Sequence, residues 1–313
     1  MHSISRWIVA LAVCAIGVPP AVAQDSITLG KIRGKKTITL GVRDASHPFS
    51  FLDDKQQHVG YSIDLCMKIV EAVKTQLKLP DLKVSLTKVI PSARMQMVMS
   101  GDIDLECGST TNSVERQKIV AFVVTTFFTG TRMLVKTSSN IRNYKDLRGK
   151  TVVVTSGTTN ERAIKDYNLQ ESMGMRFIQG KDHNDALAAL DNGSAVAFPM
   201  DDVLLYSTRA NAKNPADYAI VGDFLTDEPY GIMLRRDDPA FKKLADGAVI
   251  ALFKSGEINK IYARWFESPT PPKNVNLNMP MNSNLKKYIR SPSSDGVDKC
   301  GRMQCMMSLT RDM

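Results

Sequence analysis

The sequence lacks long runs of lysine and arginine interleaved with aromatic residues, and aromatics make up only 7% of its 313 positions. A nucleic-acid surface is therefore not expected, although the net charge is +9; a basic balance also fits an acidic ligand or simple solubility. No apolar stretch beyond the N-terminal one is long enough to span a bilayer. No solenoid-length repeat recurs. The turn at Thr155-Ser156-Gly157-Thr158-Thr159-Asn160 is not closed by Gly-Lys-Ser/Thr, which excludes a phosphate-binding P-loop. Asp201 and Asp202 are adjacent acids with no nearby histidine or third acid, so no metal site and no cofactor are expected. Cysteine is scarce, at five residues. Cys14 lies in the N-terminal apolar stretch, which leaves Cys66, Cys107, Cys300 and Cys305. Spacing alone does not decide which pair, if any, forms a disulfide.

Hydrophobic residues make up 43% and charged residues 23%, a globular composition with length enough for two domains. The N-terminus reads as a secretory signal over residues 1–23. Arg6 supplies the positive charge, 7–18 the apolar core and Ala21-Val22-Ala23 the small-residue cleavage site. A lipoprotein anchor at Cys14 is disfavoured because Val13 is too large for the position before such a cysteine. Export would permit a disulfide.

Short strands alternate with helical patterns, which is α/β organisation. Residues 37–42 alternate and lead into Arg43, and the ends of such strands are where ligands tend to bind. Ile63, Cys66, Met67, Val70, Val73 and Leu77 recur at helical spacing as a core-facing stripe. The strand at 82–90 leads through Pro91 and Ser92 to a helix with Arg94 in its first turn. The strand at 103–107 leads to Gly108 and four small polar residues, whose backbone N–H groups can surround an anion. Ser113 is placed to cap a helical turn containing Arg116, whose guanidinium can point back over the loop and hold a carboxylate bidentately. A second strand, Gly/Ser/Thr turn and helix start recurs at 151–161, another anion-binding arrangement.

The run Cys107-Gly-Ser-Thr-Thr-Asn-Ser-Val-Glu-Arg-Gln-Lys118 resembles the ligand loop of bacterial periplasmic solute-binding proteins of the polar amino-acid class. Within that class it resembles the glutamate/aspartate-binding components of ABC importers most. The entry to the first long helix, 59–65, matches as well, and the resemblance extends over about 31–278. It implies a type II, two-lobed α/β fold with two hinge-crossing strands and a cleft that closes on its ligand. Lobe 1 would be residues 24–129 plus 230–285 and lobe 2 residues 130–229, with the first hinge at Thr129 and Gly130. A tail, 286–313, would be without fixed structure.

The same resemblance assigns roles. Ser109, Thr111, Arg116 and Thr159 would hold the α-carboxylate and Asp201 the ammonium, while Asp202 caps the next helix. Arg43, Arg94 and His183 would serve a side-chain carboxylate. Pro91 departs from the hydroxyl residue common in the family. Some relatives bridge the cysteine matching Cys107 to one two residues after the glycine matching Gly231, but here Met233 stands there. Since Arg116 and Asp201 satisfy the α-amino acid group, Arg43 and Arg94 are left over, and buried charges demand partners. L-glutamate or L-aspartate is the expected ligand. A membrane-embedded ABC permease is the expected partner, the location periplasmic and the protein monomeric. The alternatives are an exported enzyme on the same scaffold, similar to cyclohexadienyl dehydratase, and a ligand-sensing partner of a receptor. The enzyme would need a proton donor, and His183 is the obvious candidate.

Overall fold

The computed structural model describes residues 26–298. The expected signal segment, Cys14, Cys300 and Cys305 lie outside the described residues.

Two five-stranded sheets organise the chain. In the first, Thr37–Val42 pairs in parallel with Lys83–Lys88 and with Leu105–Glu106. Met233–Arg235 follows, pairing antiparallel with both Leu105–Glu106 and the edge strand Val120–Phe122. Alternation in Thr37–Val42 buries Ile38, Leu40 and Val42, and the helix Tyr61–Leu77 covers the sheet with Leu65, Ile69, Val70 and Val73. In the second sheet Thr151–Thr155 pairs in parallel with Arg176–Gly180 and Ala197–Asp201. Thr131–Lys136 extends it, pairing antiparallel with both Ala197–Asp201 and the edge strand Tyr218–Val221. Val152, Val153 and Val154 are all fully buried, as befits a strand covered on both faces.

The halves are joined by Phe127–Thr129 and Glu228–Tyr230, paired antiparallel with Thr129 opposite Glu228. An aromatic cluster roots these strands in the first half: Phe127 lies 4.8 Å from Phe49 and 4.9 Å from Phe266 between ring centres. At Gly130 a β-carbon would stand 2.4 Å from Thr226 O, so only glycine fits this crossing.

One pairing that spacing left open is found, and one expectation is corrected. Cys66, buried in the core on its helical stripe, forms a disulfide with Cys107, with Cα atoms 6.2 Å apart. Spacing carried no sign of this, because the two meet only when the long helix packs on the sheet. The stretch from residue 286 is also not structureless up to 298. The helix Ser283–Arg290 is capped by Asn282 and buries Leu285, and residues 291–298 then run along residues 112–117. That contact rests on backbone hydrogen bonds, which a Ser/Asp-rich composition does not advertise.

Candidate functional site

Three arginines converge where the sheets' strand ends face each other. Arg43 follows Thr37–Val42, and its backbone N–H donates to Ser50 Oγ at 2.8 Å. Its fully buried guanidinium donates through Nη2 to Asp182 of the opposite half. Arg94 opens the helix Arg94–Ser100 and is 2% exposed. Nε and Nη1 of both Arg43 and Arg94 are buried without a hydrogen-bond partner. Arg116 begins a single 3-10 turn, Arg116–Lys118, rather than an α-helix, and its backbone N–H donates to Ser113 Oγ at 3.3 Å. Its guanidinium spans the cleft: Nη1 donates to Thr111 O at 2.9 Å and Nη2 to Gly157 O at 3.2 Å.

Burial pushes the Arg94 guanidinium down to about 9, helped by the neighbouring Arg116 and Arg43 and opposed by Glu106. Burial also lowers Arg116, while Glu228 opposes the shift. Guanidinium keeps its proton in proteins. The downward pressure is therefore mainly the cost of keeping a charge in a buried site, which an incoming anion offsets.

The second half contributes Thr159, His183 and Asp201. Thr159 is the first residue of Thr159–Gln170, whose cap is Thr158. Its hydroxyl lies 3.3 Å from that of Thr111. His183 starts the helix His183–Asp191, and its Nδ1 lies 3.0 Å from Thr155 Oγ1. Burial, then Arg43 and Arg94, hold its pKa well below the usual histidine range. Both favour the neutral ring, in which one nitrogen donates and the other accepts. Asp201 ends Ala197–Asp201 and accepts from Tyr230 OH and, at 2.8 Å, from Asn160 Nδ2. Burial and then the Glu228 carboxylate raise its pKa. Asp201, not Asp202, holds the cap position of the helix Asp202–Ala210; the Asp202 carboxylate accepts from Thr129 Oγ1 at 2.5 Å and from the Val203 backbone N–H of the first turn. Ser109 is buried within the 108–117 loop. Pro91 and Ser92 lie against Gly157 across the cleft.

Three acids that sequence reasoning passed over stand among these groups. Asp182 pairs with Arg43. Glu106 Oε1 lies 3.9 Å from Arg94 Nη1 and has no hydrogen-bond partner, while its Oε2 accepts from Thr110 Oγ1 at 2.6 Å. Glu228, 1% exposed, accepts from Thr111 Oγ1, from Thr159 Oγ1 at 2.7 Å and from Thr226 Oγ1 at 2.6 Å. The expectation that Arg43 and Arg94 have no protein counter-charge is corrected accordingly. What remains unmet is hydrogen bonding: four guanidinium nitrogens in a buried cleft. Glu106 was legible in one respect, since it alternates with Leu105 and Cys107 and so faces away from the core. That face borders the cleft rather than solvent. Among the described residues, no group of three or more His, Cys, Asp or Glu is arranged to hold a metal.

Known proteins resemble this chain in sequence and in fold. Residues 38–268 match the model of the bacterial extracellular solute-binding proteins, family 3. An L-glutamate/L-aspartate-binding protein of Pseudomonas aeruginosa is 49% identical over 289 residues, 92% of this chain and 96% of its own. A glutamate/aspartate import solute-binding protein of Salmonella typhimurium is 46% identical over 271 residues, 87% of this chain and 90% of its own. Among solved structures, a mutant of ArgBP from T. maritima superposes with a TM-score of 0.69 at 26% identity, covering 77% of this chain and all of that one. With two α/β halves joined by a pair of crossing strands and a family match over most of its length, the chain belongs to the bacterial extracellular solute-binding proteins, family 3.

Proposed function

We propose that this protein captures L-glutamate or L-aspartate between its two halves and delivers it to a membrane-embedded ABC permease. The observation that carries the reading is the set of four buried, unpartnered guanidinium nitrogens on Arg43 and Arg94, which call for a planar anion. Arg116, Thr159, Ser109 and Thr111 serve the α-carboxylate, and Asp201 serves the ammonium. The ammonium cation reverses the electrostatic cost of ionising Asp201 beside Glu228. Arg43, Arg94 and His183 serve the second carboxylate. The relatives named for glutamate and aspartate support the same ligand class.

The role is binding and release, without turnover. The lobes are 24–129 with 230–298, and 130–229. The protein acts as a periplasmic monomer after removal of residues 1–23. Among the described residues no helix is long and apolar enough to cross a membrane. Each charge-assisted hydrogen bond contributes about 1.5–3 kcal/mol. Several of them, less desolvation and closure, give about −8 kcal/mol, or a Kd of about 1 μM.

Isothermal titration of refolded, ligand-free protein with L-glutamate, L-aspartate, L-glutamine and L-arginine tests the reading. Tight binding of both acids, with glutamine at least about a hundredfold weaker, is the expected result. Glutamine or arginine binding as tightly as glutamate overturns it.

A further inference from the structure

The ligand loop is held from behind by a segment beyond the residues that the family model matches. After the helix Ser283–Arg290 the chain turns back and lies parallel to the loop, with Ser113 opposite Val297. Val114 N–H donates to Val297 O at 3.0 Å, and Val297 N–H donates to Asn112 O at 3.1 Å. Asn112 Nδ2 and Gln117 Nε2 both donate to Ser294 O, at 2.8 and 2.6 Å. Thr125 N–H donates to Ser293 O at 2.8 Å, and Lys242 Nζ reaches Ser294 Oγ at 3.2 Å. The strap is seated closely: a β-carbon at Gly296 would stand 2.6 Å from Ser113 C and from Val114 N.

These anchor points bracket the cleft-facing groups. Asn112 adjoins Thr111, whose carbonyl accepts from Arg116 Nη1. Ser113 Oγ accepts from the Arg116 backbone, and Gln117 follows Arg116 directly. At its other end the loop is tied to the helix Tyr61–Leu77 through the disulfide of Cys107 with Cys66. A small polar loop with both ends fixed loses little conformational freedom when a ligand arrives.

We propose that residues 291–298 form a positioning strap that presets the ligand loop, with Gly296 as its seating point and Arg116 as the group it aligns. The strap contacts no cleft residue of the opposite half among the bonds above. It therefore acts on how well the loop is formed before closure, and on the carboxylate end that every α-amino acid shares. This rests on the binding reading proposed for the site.

The test uses the full mature chain with Gly296→Val, which cannot seat, and separately Val297→Pro, which removes the N–H bonded to Asn112. Titration and stopped-flow measurements with L-glutamate and L-aspartate read Kd and dissociation rate, and thermal melts read stability. Kd rises at least about tenfold in both variants, by the same factor for both acids and mainly through faster dissociation. A tenfold loss is what lower global stability alone would not produce far below the melting temperature, where nearly all of the protein is still folded. A Kd within twofold of wild type in a folded variant overturns the strap, as does a loss confined to one of the two acids. Wild type that binds neither acid takes down the binding reading and the strap together; variants as tight as a binding wild type take down the strap alone.

Discussion

Gly157→Ala separates folding from closure. Gly157 has φ +82°, a left-handed conformation that costs an L-residue about 1–2 kcal/mol. That cost is present whether the halves are together or apart. The second effect exists only when they meet. An alanine β-carbon would stand 2.6 Å from Ser92 Cα, 2.8 Å from Ser92 N and 3.0 Å from Pro91 C. Carbon atoms are at ease at about 3.5–4.0 Å, so the halves must part by about 1 Å. The Arg116–Gly157 bond, 3.2 Å long, then exceeds hydrogen-bond range. That charge-assisted bond contributes about 1.5–3 kcal/mol. The expected penalty on ligand binding is about 2 kcal/mol, or about thirtyfold in Kd. Urea unfolding of the ligand-free protein should show a loss of about 1–2 kcal/mol, and calorimetric titration should show the thirtyfold loss equally for glutamate and aspartate. A glutamate Kd within threefold of wild type would refute the claim that closure brings Gly157 onto Ser92.

Other perturbations probe individual groups. Arg94→Ala should cost about 2–5 kcal/mol of glutamate and aspartate affinity, seen by titration; unchanged glutamate affinity would misplace the second carboxylate. Asp201 has a folded pKa raised above its unfolded value by burial and Glu228. Its ionisation therefore destabilises the ligand-free fold, beginning as pH rises above the unfolded value of about 3.9 and saturating above the folded one. Asp201→Asn should raise the ligand-free melting temperature more at pH 8 than at pH 5 while weakening amino-acid binding. An equal shift at both values would contradict this. The Cys66–Cys107 bridge closes a separation of 41 residues, for which chain entropy predicts about 4 kcal/mol. The double variant with alanine at both positions should lose about that much in denaturant unfolding, and a loss under 1 kcal/mol would show that the bridge restrains little.

The alternation of Thr37–Val42 and the helical stripe from Ile63 to Leu77 were legible because burial imposes period on sequence. Positions at strand ends, such as Arg43 and Asp201, were also legible as candidates because α/β topology gathers strand ends at one edge. Asp182 and Glu228 were not. Asp182 reads as an N-cap, which it is, since its Oδ1 accepts from His183 N–H at 2.8 Å. Its second bond, to Arg43, crosses 139 positions of sequence. Glu228 lies on a crossing strand, and it faces the cleft only because both halves fold around it. The disulfide and the 291–298 strap were hidden for the same reason: each depends on tertiary proximity and leaves no local period.

The central claim is that Arg43, Arg94 and His183 read a second carboxylate. A crystal structure of the mature protein with L-glutamate tests it most directly. The account predicts the γ-carboxylate within hydrogen-bond distance of Arg43 and Arg94, the α-carboxylate on Arg116 and Thr159, and the ammonium on Asp201. A glutamate bound in the reverse sense, with its α-carboxylate on Arg43 and Arg94, would contradict it.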